Sequence, residues 1–268
     1  MEAFGGGRQH CAVLVPGGAL FYTHGVRTKL LSCAIWIGVV LLTVGVFFPI
    51  FFCSLALRPL DPKRRLAHRI ATWWGCTIIR LNPFWRMRVR GRALMRPDRA
   101  YVVVANHQSL ADIVLLYALR RQFKWLAKRS LFAIPFLGWN MSLAGYIPLE
   151  RNRQGSITRS IRQALEWLQQ GMSVIVFPEG TRSRTGELGA FKGGAFTLAI
   201  QAGVPVLPVV LAGTRDAIPR GSWIFTRQVR AVLTVLPPIE TAGCTPNQAG
   251  ELRARARAAI SDALTRFA

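Results

Sequence analysis

Acidic residues are scarce in this chain: 12 Asp plus Glu stand against 35 Lys plus Arg, a formal net charge of +23. Such an imbalance points to polyanionic partners, whether nucleic acid, an anionic membrane surface or an acidic protein. Cysteines are few and odd in number (Cys11, Cys33, Cys53, Cys76, Cys244), with no CxxC pair. That pattern supports neither a disulfide framework nor a zinc site, and it fits a reduced, cytoplasm-facing protein. No metal and no cofactor is expected. Zinc-finger spacing, an RNP-like aromatic pattern and a basic zipper are also missing, which argues against a nucleic-acid partner. There is no internal repeat and no low-complexity tract.

What is abundant is apolar. Hydrophobic residues make up 51% of the 268, and mean hydropathy is +0.28. The length suits one or two domains. Leu30 to Leu57 holds no charged residue over 28 positions. As a helix this run is roughly 42 Å long, against a hydrocarbon core of roughly 30 Å. Pro49 is expected to kink it or to split off a re-entrant piece. Ser54-Leu55-Ala56 resembles a small-x-small cleavage site, but the run is too long for a signal core and starts too far into the chain.

Charge is distributed unevenly around this run. Residues 58–100 carry twelve Arg or Lys and two Asp, a net of 12 − 2 = +10. The flank before the run has Arg27 and Lys29, and the flank after it has Arg58, Lys63, Arg64, Arg65 and Arg69. The excess of cations places the following domain on the cytoplasmic side of an inner or plasma membrane, against an anionic lipid surface. In Pro62 to Asn82, Leu66, Ile70, Trp73, Trp74 and Ile78 recur at helical spacing between arginines. This predicts an amphipathic helix at the membrane interface, with a core helix of the following domain as the alternative.

From residue 83 short apolar strands alternate with helical patterns. "WRMRVRG", "AYVVVAN", "FKWLAK", "LAGYIPLER", "MSVIVF", "VPVLPVVLAG" and "VRAVLTVLP" read as strands. "SLADIVLLYALRR", "GSITRSIRQALEWLQQG", "GGAFTLAIQAG" and "NQAGELRARARAAISDALTRF" read as helices. The expected fold is α/β, a mixed sheet flanked by helices, preceded by an N-terminal membrane-inserted helical segment. Three units are expected: an N-terminal extension 1–29, membrane-associated helices 30–82, and a domain 83–268.

In such folds ligands gather beyond the C-terminal ends of strands. His107, the only histidine after residue 68, stands there, directly behind "YVVVA". Asp112 follows five residues later, a separation of about 140° on a continuous helix. The two side chains meet only if His107 lies in the loop and Asp112 in the first helical turn. Ser109-x-x-Asp112 equally reads as a capping box that stabilises the helix and nothing more. The stretch "VFPEGTRSRTGE", Val176 to Glu187, follows a second buried strand. Glu179, Gly180, Thr181, Arg182 and Ser183 offer a guanidinium, hydroxyls and flexible backbone N–H groups suited to a phosphate; an ordinary polar loop is the alternative. Lys192 opens the next helix and is also anion-friendly. Two prolines in "VPVLPV" suggest an edge strand or a shaped wall. A GxSxG elbow is absent and Cys244 has no histidine after it, so a covalent intermediate is not indicated.

"HQSLAD", "GYIPLER", "FPEGTRS" and "VPVLPV", in that order and spacing over about residues 100–210, resemble the glycerolipid acyltransferase family. The resemblance implies a reaction in which His107 is the general base for an acceptor hydroxyl and Asp112 orients it. It implies that Glu179, Gly180, Arg182 and Arg151 hold the acceptor phosphate, with Thr181 and Lys192 beside them. Pro148 and Glu150 depart from the family's commonest pattern around Arg151. The implied partners are a lysophospholipid acceptor and an acyl-CoA or acyl carrier protein donor, with lysophosphatidic acid as the leading acceptor. Another lysophospholipid or a lyso-ornithine lipid, a hydrolase with His107 activating water, and a non-catalytic membrane-binding protein are the competing readings.

Overall fold

The computed structural model describes residues 25–150, 153–183, 185–218, 221–225 and 228–267. Most of the expected N-terminal extension lies outside them. The apolar run forms one helix, α1 (Val26–Ala56), which continues through Pro49 without splitting. Helix α2 (Arg65–Leu81) folds back on it. Strands and helices then alternate: β1 (Trp85–Arg90), β2 (Val102–Ala105), α3 (Ala111–Tyr117), β3 (Phe123–Lys128), α4 (Leu137–Leu143), β4 (Ile147–Leu149), α5 (Gln154–Gln169), β5 (Ser173–Val176), α6 (Gly194–Ala202), β6 (Val206–Ala212), β7 (Val229–Val235) and α7 (Ala249–Thr265). Helix α4 is absent from the sequence reading; its seven residues carry neither a capping side chain nor a long enough period to announce it.

Among the described residues the seven strands form one sheet in the order β1-β7-β6-β2-β5-β3-β4. β6, β2, β5, β3 and β4 run parallel; β7 is antiparallel to β6, and β1 is parallel to β7. The sheet is therefore mixed, as the alternation of elements predicts. Its parallel centre is buried on both faces, which is why β2, β5 and β6 read as unbroken Val, Ile and Leu runs. One face packs against α1 to α4 and the other against α5 to α7.

The edge-strand expectation for "VPVLPV" does not hold. Pro208 sits in β6, between β7 and β2. Its missing N–H faces the point where β7 ends. There the Pro208 carbonyl still accepts Leu236 N–H at 3.0 Å, and Val206 makes the next pair of bonds with Ile239. Only half of one bond pair is lost, so a central proline is tolerated.

Helix α2 serves two surfaces at once. Ala67, His68, Ala71, Gly75 and Ile78 are buried, and a Cβ on Gly75 would come within 2.7 Å of the Tyr117 ring. Trp73, by contrast, is 55% exposed, and Trp74 donates to Thr43 of α1 at 3.0 Å. The amphipathic helix thus packs into the sheet's own helical layer while presenting a tryptophan outward.

Buried in this layer is a directed chain of hydrogen bonds. His68 Nε2–H donates to the Arg121 carbonyl at 3.0 Å, which leaves Nδ1 to accept from Tyr146 Oη–H at 2.9 Å. Tyr117 donates to Tyr146 at 3.1 Å. Burial first, and then the Lys124 ammonium, push the His68 pKa down to about 3. The unfolded imidazole titrates near ~6.5, so the unfolded chain binds the extra proton between those values. Stability is therefore full above pH ~6.5 and falls as the pH drops toward 3. In His68→Asn the midpoint of thermal unfolding should fall less between pH 6.5 and 4 than in the parent, whatever its value at neutral pH; parallel profiles would remove His68 as the cause.

Candidate functional site

The end of β2 is pinned before the site begins. Asn106, fully enclosed, donates through Nδ2 to the Leu211 carbonyl and accepts Leu211 N–H through Oδ1, both at 2.8 Å. This amide clamps the β2 loop to β6, so the next residue leaves the sheet at a fixed height.

That next residue is His107. Its ring stacks on Phe177 with centroids 4.0 Å apart and planes 12° from parallel, and Phe177 stacks in turn on Trp125. His107 Nδ1 lies 2.8 Å from Asp112 Oδ2. A carboxylate only accepts, so Nδ1 carries the proton and Nε2 keeps a free lone pair. The same Oδ2 accepts the backbone N–H of Gln108 at 2.7 Å and of Ser109 at 2.8 Å. Ser109 Oγ accepts Ala111 N–H at 3.3 Å. One oxygen thus orients His107 and holds the loop N–H groups ahead of α3, while the reciprocal half of the expected capping box is not formed: Ser109 Oγ takes Ala111 rather than Asp112. The geometry requires His107 in the loop and Asp112 in the first turn of α3, which is where the structure has them.

The second loop is built against the first. Phe177 to Gly180 make a tight turn closed by Gly180 N–H on the Phe177 carbonyl at 3.0 Å. Pro178 supplies a preset φ at its second position, and Gly180 takes a φ of 82° that other residues avoid. Glu179 points back rather than outward: its carboxylate accepts His107 N–H at 2.8 Å and Gly189 N–H at 3.0 Å. Burial pushes its pKa up, opposed by those two donors. Ser183 N–H donates to the His107 carbonyl at 2.9 Å, and the Gln108 side chain to the Gly186 carbonyl at 3.0 Å.

Glu179 is therefore a correction to the expected phosphate set. An acceptor-only carboxylate already satisfied by two backbone donors would repel a phosphate; it ties the two loops together. Gly180, Thr181, Arg182 and Lys192 do line a common cavity with His107. Arg151 lies outside the described residues.

The cavity has a volume of about 1210 Å³ and a mainly apolar lining. From His107 it runs beside Phe177, Trp125, Tyr117 and Tyr146 to Trp36 and Val39 of α1. The apolar N-terminal helix is therefore part of the site wall, which no local signal in the sequence announces. Nor does the sequence reveal the Asn106 clamp, although a polar residue between a buried strand and the histidine is a usable hint.

The family model described as Acyltransferase matches residues 86–212. The chain is 41% identical over 186 residues to the chloroplastic 1-acyl-sn-glycerol-3-phosphate acyltransferase LPAT1 of Arabidopsis thaliana, covering 69% of this chain and 49% of that protein. It is 40% identical over 179 residues to the human 1-acyl-sn-glycerol-3-phosphate acyltransferase alpha, covering 64% of this chain and 61% of that one. The chain thus spans about half to three-fifths of the length of these curated relatives. The crystal structure of the 1-acyl-sn-glycerophosphate acyltransferase PlsC from Thermotoga maritima superposes with a TM-score of 0.78 at 30% identity, over 90% of this chain and 96% of that one.

Proposed function

The chain belongs to the glycerolipid acyltransferase family, and from that premise we propose that it transfers a fatty acyl group from a thioester to the sn-2 hydroxyl of lysophosphatidic acid, giving phosphatidic acid. The observation that carries this reading is His107: Nδ1 is held by a buried carboxylate, and the free Nε2 borders a long apolar cavity whose rim bears Arg182 and Lys192.

Each part of the site then has a role. The phosphate of the acceptor is held by Arg182, Lys192, Thr181 and the backbone of Gly180, which fixes its hydroxyl against His107 Nε2. An alcohol is far too weak an acid to ionise at neutral pH, so His107 takes the proton as the oxygen attacks the thioester carbonyl. The tetrahedral intermediate collapses by breaking the C–S bond, and the departing thiolate recovers the proton from His107. Asp112 stabilises the imidazolium formed between these steps. The acyl chain occupies the apolar cavity. Helix α1 and the outward face of α2 lie in the membrane, so that acceptor and product, both amphiphiles, enter from the bilayer.

Purified protein in detergent, offered lysophosphatidic acid, lysophosphatidylcholine and lyso-ornithine lipid with one acyl thioester, should acylate the first best. Exclusive use of another acceptor would overturn the substrate assignment. In Arg182→Ala the acceptor KM should rise about 10- to 100-fold, the loss of a charge-assisted hydrogen bond, with kcat changed far less. An unchanged KM would take Arg182 out of the phosphate site.

A further inference from the structure

Strand β1 carries an alternation that the site does not use. Trp85, Met87 and Val89 turn to the core shared with α1 and α2, while Arg86, Arg88 and Arg90 are exposed on the other face. Arg86 stands in register with Arg230 of β7, also exposed. Among the described residues no helix lies over the Arg86–Arg230 end of this face. Helix α7 packs Leu252, Ala256 and Ile260 onto the β2, β5 and β6 side, and neither β1 nor β7 contributes to that cluster. Among the described residues none of the four arginines has an acidic partner, whereas Arg96 pairs with Asp98 and Arg99 with Glu240. Arg90 lies over the Phe267 ring at 5.8 Å.

We infer that this open β1–β7 face is the docking surface for an acidic protein, the carrier that presents the acyl thioester. The inference rests on the acyl-transfer reading above. Charges on an edge strand do discourage pairing with other chains. That accounts for β1 but not for Arg230, which is on an interior strand. Like charges in neighbouring registered positions destabilise a sheet, so the Arg86–Arg230 pair is a standing repulsion that an anionic partner relieves.

Position supports a carrier. Ala105 is level with Val209, Val209 with Val235, and the neighbouring Thr234 with Arg90. Arg90 is thus level with Asn106, and Arg88 stands two residues beyond it along the strand, past His107. Three strand spacings separate β1 from β2, about 14 Å. A protein bound there delivers a flexible thioester arm to the end of β2. Orientation argues against lipid headgroups: α1 and α2 cover the opposite face, so with them in the membrane the arginines face water.

The test uses full-length protein in detergent, with palmitoyl-carrier protein and palmitoyl-CoA as alternative donors. In Arg86→Glu/Arg230→Glu the KM for palmitoyl-carrier protein should rise at least ~10-fold and lose its salt dependence, while kcat/KM for palmitoyl-CoA stays unchanged. Wild-type use of palmitoyl-CoA alone, equal losses with both donors, or no change with either overturns the inference. So does a variant whose defect is in binding phosphatidylglycerol vesicles rather than the carrier. Binding of the carrier protein is measured separately, with Arg88→Gln as a milder variant should the reversals unfold the protein. Arginine-dependent binding of the carrier without transfer from either donor by the wild type would leave the docking surface standing and remove the reaction.

Discussion

Replacing His107 with alanine should lower kcat by about 10²–10⁴-fold, the share of the rate that a positioned general base supplies. The expected KM change for either substrate is small, because the ring contacts the hydroxyl proton rather than the phosphate or the acyl chain. The fold should survive. The backbone of His107, which bonds Glu179 and Ser183, is unchanged by the substitution; the ring leaves its stacking partner Phe177 and the Asp112 carboxylate, whose Oδ2 keeps the N–H groups of Gln108 and Ser109. Circular dichroism and thermal unfolding of the purified variant check this, alongside transfer of radiolabelled acyl chain to lysophosphatidic acid. Full activity would refute the role of His107 as the base, whereas no transfer by the parent protein would return it to a membrane-binding role.

Asp112→Asn should cost a similar factor in kcat while keeping the helix. An amide oxygen in the place of Oδ2 still accepts from His107, Gln108 and Ser109, so the cap and the imidazole orientation persist. What is lost is the charge that stabilises the imidazolium as the proton arrives. Asp112→Ala removes the acceptor altogether from a fully enclosed position, so it should lower stability as well as activity. The pair of variants separates the two duties of this oxygen. If Asp112 only caps α3, the asparagine variant keeps near-parental kcat and only the alanine variant suffers.

These two outcomes bear on residues that the sequence places but does not join. Strands β2, β5 and β6 are legible because a parallel strand buried on both faces is a near-continuous apolar run. Helices α5 and α7 are legible from their period. The expectation that Pro208 marks an edge fails because strand position is a long-range property: β7 reaches β6 from 20 residues or more further along the chain. From its sequence neighbours Glu179 reads as part of a phosphate loop. Only the approach of the His107 loop, 72 residues away in sequence, shows its carboxylate spent on backbone donors.

By itself the sequence determined the α/β alternation, the long uncharged helix with its basic flank, and the histidine, aspartate and arginine whose types limit the chemistry. Those are consequences of local period and side-chain chemistry, which a chain states residue by residue. The tertiary structure alone decided that one carboxylate oxygen both holds the loop ahead of α3 and orients His107, that Glu179 binds loops together, that α1 walls the cavity, and that four arginines without an acidic partner among the described residues share one face. Each of these depends on segments far apart in sequence meeting at hydrogen-bond or van der Waals distance, and packing of the whole sheet and its two helical layers sets those distances.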